Sequence, residues 1–142
     1  MKQHPSLLVR QRIPHADPRM HQLFDGWLAA RDGSGVARRA AFDPMTISRM
    51  LEFVWIYRMS PGVGDYVCDL AGEEVNAVWG RSIKGRTLTE IVGVDHQTTL
   101  AARWDGVRGD PAILYSATAS LPDPHFVHRV ERMVLPMMAA SG

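Results

Sequence analysis

The sequence predicts an α+β domain, an antiparallel sheet carrying short helices across one face with a helical flank on its N-terminal side. Three observations predict it. Apolar residues recur at helical spacing before residue 52 and again between 73 and 109. Alternation replaces that period in "FVWIYRM" and "YVCDLAG", and again in two C-terminal runs. Each strand pair is joined by turn composition, "SPGVGD" and "PDP", which makes hairpins and hence antiparallel pairing. At 142 residues, with 46% apolar and 22% charged side chains, the chain has the size and composition of one globular domain.

Residues 1–17 read as a loosely attached arm. Pro5 and Pro14 flank "SLLVRQRI", which could add a strand, and His4 and His15 lie in the same stretch. The domain proper is expected over 18–142. Its first helix starts at Pro18, with Asp17 as cap and "RDGSG" as the stop. Met20, Leu23, Phe24, Trp27 and Leu28 form its apolar face. A second short helix follows in "DPMTISRML", capped by Asp43, with Ile47, Met50 and Leu51 buried. In the first hairpin Phe53, Trp55, Tyr57 and Met59 share one strand face, and Tyr66, Cys68 and Leu70 answer them. Three helical pieces come next. "EEVNAVWG" places Val75, Val78 and Trp79 on one stripe and stops at Gly80. "TLTEIVG" opens with a capping box, Thr87 and Glu90. "DHQTTLAARWDGVRG" begins at Asp95 and aligns His96, Leu100, Trp104 and Val107. The runs "AILYSATASL" and "HFVHRVERMVLPM" make the second hairpin.

Composition excludes several classes of function. The net charge is +1, and fourteen arginines among sixteen basic residues are scattered, so no pull toward nucleic acid or a membrane surface is expected. The single cysteine, Cys68, allows no internal disulfide and no C-x-x-C pair, which suits a cytoplasmic protein. The N-terminal residues lack the apolar core of a signal peptide, and no run is long enough to span a membrane. One motif needs resolving. "GRSIKGRT", residues 80–87, differs from a phosphate-binding G-x-x-x-x-G-K-[ST] loop only at Arg86. Such a loop leaves a buried strand and enters a long helix, so that successive N–H groups converge on an anion. Here it joins two short helices, and its glycines and threonine read as helix punctuation.

The order helix, helix, strand pair, three short helices, strand pair is that of a PAS domain. "YVCDLAGEEVNAVWGRSIKGRTLTEIV" resembles a bacterial PAS-like family, mostly alphaproteobacterial, that reads roughly "YRLVGTxxxxxFGRDLTGRxLxEl". "FDGWLAARDG", "FDPMTISRML" and "RVERMVLPM" are similar to that family's "YWxxLRGG", "DPxxIPxLLP" and "YERLLLPL". The likeness spans about residues 19–138. It departs at "CDLAG", where Cys68 replaces a bulky aromatic and Asp69 a basic residue. It departs again at the C-terminus. A PAS sheet has five antiparallel strands, the last lying between the first and fourth, and "MMAASG" reads as stopping at the turn before it. That central strand is expected to be missing, or its place taken by "SLLVRQRI" or a partner chain.

The resemblance implies a sensory or interaction module in bacterial signalling, acting by conformational coupling on a ligand or a protein partner. It implies a homodimer through the first helix, which a Trp27→Asp substitution would dissociate. Candidate pocket residues are Trp55, Tyr57, Tyr66, Cys68, Val78, Trp79, Leu100 and Trp104. Apolar stripes of this kind serve equally as plain core, and periodicity does not separate the two. Haem-binding PAS domains use a histidine on the helix before the last strands, which singles out His96. Its place in the first turn predicts an exposed imidazole, so no cofactor is assigned. Cys68 sits on a strand rather than in the helical site of flavin-binding relatives, and reads as a small buried hydrophobe. Along the last strand His128 and Arg132 face one way, Arg129 and Glu131 the other, without a nucleophile nearby. Arg81, Lys84 and Arg86 read as a solvated turn. No triad order or metal-ligand spacing is present, so no catalytic or metal residue is assigned. The alternative is a small cone-shaped α+β enzyme, with His128 and Asp69 as its acid–base pair.

Overall fold

The computed structural model of the chain describes residues 16–31, 33, 35–109, 113–123 and 126–139. The arm expected over 1–17, with "SLLVRQRI", His4 and His15, therefore lies almost wholly outside the described residues, as does the final "SG". Two compact units are formed, Met1–Thr46 with Val107–Gly142, and Ile47–Gly106.

In the first unit, helix α1 covers Pro18–Ala29. Its start is set as the sequence predicts: the Asp17 carboxylate accepts from Arg19 N at 2.9 Å, and Pro18 occupies the first turn. Phe24 and Trp27 enter a core with Ala30, Ala37 and Met133. The Trp27 indole donates to the Pro136 carbonyl at 2.6 Å, and the Arg31 guanidinium lies 5.7 Å from its ring centroid. Trp27 is thus a core residue, only 7% exposed. Asp in its place would test folding rather than association. Strand β1 (Ala37–Arg38) pairs in parallel with β6 (Met137–Met138). Two residues are too few for any period to announce, and the sequence reading missed both. Strands β4 (Leu114–Asp123) and β5 (Phe126–Val134) form the second hairpin, from Leu114↔Val134 to Asp123↔Phe126.

Between α1 and the first hairpin, the expected α-helix is instead a 3-10 run, Pro44–Phe53, broken at Ile47 (φ −124, ψ 29). The Asp43 carboxylate accepts from Met45 N at 2.9 Å, while the Asp43 carbonyl accepts from both Thr46 N and the Thr46 hydroxyl. Those bonds close the first turn of the run. Ile47 and Met50 are buried, but Leu51 is 38% exposed, so the face expected for an α-helix is rotated away.

In the second unit, β2 (Trp55–Ser60) and β3 (Asp65–Ala71) pair antiparallel, with a bulge between Ile56 and Tyr57. The turn closes on the Ser60 carbonyl, which accepts from Val63 N and Gly64 N. Helix α2 spans Glu73–Trp79, α3 Leu88–Val92 and α4 Val94–Gly109. Gly72 is required where the chain enters α2, since a Cβ there would fall 2.3 Å from the Leu51 carbonyl oxygen. Gly80 ends α2 at φ 68, and the Thr87–Glu90 capping box opens α3. A core of Cys68, Ile83 and Ile91, lined by Tyr57, Ala71, Val75 and Val92, joins hairpin to helices.

The strands expected to share one sheet are joined pairwise, β1 with β6, β2 with β3 and β4 with β5.

Candidate functional site

The second unit gathers four of the aromatic side chains singled out by the sequence. Alternation along β2 puts Trp55 and Tyr57 on one face, their rings 5.3 Å apart. Tyr66 joins them from β3, and Trp104 reaches in from α4. The Trp104 ring stacks on Trp55 at 5.3 Å, tilts against Tyr57 at 4.8 Å and meets Tyr66 edge-on at 5.1 Å. These are the offset and edge geometries that aromatic quadrupoles favour. Burial, and secondarily the neighbouring Cys68, pushes the Tyr57 phenol well above its ordinary value. The Tyr66 hydroxyl donates to Asp105 at 2.6 Å, so the residue beside Trp104 is tied to the same strand as the ring it touches.

The other candidates divide. Cys68 is fully buried, and Tyr57 links it to the aromatic set through the Ile83–Ile91 cluster. Burial raises its thiol, which donates to the Leu70 carbonyl at 3.3 Å, so it is held protonated as a small hydrophobe. Leu100 is half-buried on α4. Val78 and Trp79 do not line an interior: they are 77% and 42% exposed. Helix α2 turns Val75 inward instead, and its αL stop at Gly80 comes right after Trp79, which leaves the last turn outside. His96 is exposed in the first turns of α4.

The residue that the sequence reading missed is Asp65. It lies at the first position of β3, 6% exposed, and accepts from Tyr66 N, Thr89 N, the Thr89 hydroxyl and the Gln97 amide at 2.7–3.0 Å. Burial alone would raise its carboxyl. The Thr89, Gln97 and Tyr66 donors outweigh that and hold it below its ordinary value. Asp65 thus pins the starts of α3 and α4 to the hairpin. In the sequence it is the last letter of "SPGVGD", and its partners lie 24 and 32 residues away, beyond any local pattern.

The phosphate-loop look-alike is closed by its own backbone. Gly85 N donates to the Cys68 carbonyl and Cys68 N to the Arg86 carbonyl, stitching the loop to the edge of β3. The N–H groups of Gly80, Arg81, Ile83, Arg86 and Thr87 all have partners within the chain. Ile83 at its centre is fully buried. Nothing converges on an anion. The proposed Asp69 acid–base partner is likewise engaged, its carboxylate 3.3 Å from Arg58 Nε. The side chains of His128 and Arg129 lie outside the described residues. Among the described residues no three His, Cys, Asp or Glu side chains are grouped to hold a metal, and no helix is long and apolar enough to cross a membrane. In the first unit a shallow open groove of about 210 Å³ is lined by Gln22, Asp25, Gly26, Ala29 and Thr46.

A family model described as PAS domain matches residues 16–142. The chain belongs to the PAS domain family. No curated protein and no solved structure matches it. Membership agrees with the mixed helix and sheet of the fold, and PAS domains are in general sensory modules rather than enzymes. In this PAS domain Trp55, Tyr57, Tyr66 and Trp104 form the ring cluster, Cys68 is buried in the core that Tyr57 lines, and Asp65 ties Thr89 and Gln97 to β3.

Proposed function

We propose that this PAS domain is a cytoplasmic sensory module of bacterial signalling, in which a small ligand enters the ring cluster around Trp104 and moves α4 against the first hairpin. The observation that supports this most is the double attachment of α4. Trp104 packs on three hairpin rings while Asp105, its neighbour, accepts from the Tyr66 hydroxyl. A molecule that separates the rings therefore strains a hydrogen bond, and the displacement is passed on to the backbone. A flat apolar ligand suits such a site, because it can stack on the Trp55 and Tyr57 rings. Docking of a signalling protein is the downstream half of the same reading.

Native mass spectrometry of the protein purified from a bacterial cytoplasm tests it. The reading predicts a species heavier than the 15.8 kDa chain that reverts to the bare mass on denaturation. It also predicts that the extra mass disappears in Trp104→Phe, which keeps the core but reshapes the stack. A bare mass, with near-ultraviolet dichroism of the Trp55–Trp104 pair unchanged by cell extract, would contradict it.

A further inference from the structure

Helix α2 presents two different faces. Inward, Val75 packs on the Cys68–Ile83–Ile91 cluster, and the Asn76 side chain donates to the Ala71 carbonyl and accepts from Ile83 N. Outward stand Glu73, Glu74 and Ala77, with Val78 at 77% exposure the most exposed large hydrophobic residue described. Glu74 and Val78 are one helical turn apart and share a ridge. Trp79 adds a half-exposed indole beside it, and the chain then turns at Gly80 into exposed Arg81 and Lys84. The Arg81 guanidinium is fixed by donating to the Glu90 carbonyl at 3.0 Å. Arg86 is already paired with Glu90 at 3.6 Å and does not contribute.

Along this segment the charge runs acidic, apolar, basic, with Val78 and Trp79 at the midpoint. That order is self-complementary under a two-fold axis. A second copy laid antiparallel across Val78 sets each acidic turn against the other's basic loop, twice, and covers both apolar centres. A parallel placement would oppose like charges. We propose that α2 and the loop after it form a two-fold self-association surface whose occupant is a second copy of this chain. The small Ala77 side chain allows the two helices to approach closely. A patch of this length falls below the ~1,000 Å² of stable complexes, so the association is weak and concentration-dependent. It stands whether or not the ring cluster holds a ligand.

Sedimentation velocity of the full chain over a range of concentrations tests it, because every substituted side chain is exposed and folding is checked by circular dichroism. The sedimentation coefficient rises with concentration, and less steeply at high salt. Val78→Asp weakens association by about tenfold. Glu74→Lys and Lys84→Glu each weaken it, and an equimolar mixture of the two restores it, since each then meets its opposite charge. A monomer at all concentrations, an association that Val78→Asp leaves unchanged, or a mixture no stronger than its components would each overturn the proposal.

Discussion

The two units use one device at different depths. In each, a carboxylate on a strand accepts hydrogen bonds that anchor a helix. In the second unit Asp65 is nearly inaccessible and takes four donors from β3, α3 and α4. In the first, Glu131 of β5 is half-buried and accepts from Asp17 N, at the entry to α1, and from the Tyr115 hydroxyl at 2.6 Å. The cores differ in the same sense. The second unit's rings converge on one residue, Trp104, whereas the first unit's Trp27 is a single anchor hydrogen-bonded to backbone. The comparison teaches that a junction built on a buried carboxylate is strong but brittle, and one built on a half-buried carboxylate is weak but forgiving.

The sharpest way to break the contrast is to empty each core. Trp104→Ala should cost about 4 kcal/mol in denaturant unfolding and abolish the near-ultraviolet signal of the stacked indoles. Asp65→Ala comes next, at about 3 kcal/mol, because it leaves three donors from Thr89 and Gln97 without their buried acceptor. The same group makes a pH prediction. Its folded value lies below the ordinary 3.8, so the unfolded chain takes up the proton first. The carboxylate's contribution is therefore complete above that value and is lost as pH falls below it through the folded value. Asp65→Asn should remove that part of the acid dependence. Glu131→Gln, by contrast, should cost only about 1 kcal/mol, since water can replace what the amide does not accept. A similar loss, about 1 kcal/mol, is expected when Thr87→Ala opens the α3 capping box. Equal losses for Asp65→Ala and Glu131→Gln in urea titration would erase the distinction.

What the sequence made legible was local chemistry. Asp17 and Pro18 announce α1, the Thr87–Glu90 box announces α3, and alternation announces the hairpin that aligns Trp55 with Tyr57. Four of the eight candidate site residues meet in one ring cluster because period-two and period-3.6 patterns already assign their faces. Val78 and Trp79 escaped because an apolar stripe does not say whether another element covers it, and here Gly80 ends the helix before one does. The segment after Asp43 was expected as an α-helix and is a 3-10 run broken at Ile47, a distinction that the spacing of apolar residues does not make. Asp65 and Glu131 were illegible for a different reason. Their helix-anchoring partners, Thr89 and Gln97 for Asp65 and Asp17 for Glu131, lie 24, 32 and 114 residues away, and only the fold brings those together.

The claim on which the sensory reading turns is that Asp65 and the Trp104 rings, beside the Cys68–Ile83–Ile91 core, hold α3 and α4 to the first hairpin. Native-state hydrogen exchange on Asp65→Asn tests it most directly. Amide exchange should accelerate across Leu88–Val92 and the first turns of α4, while the β2–β3 ladder keeps its protection. Unaltered exchange in both helices would contradict the account.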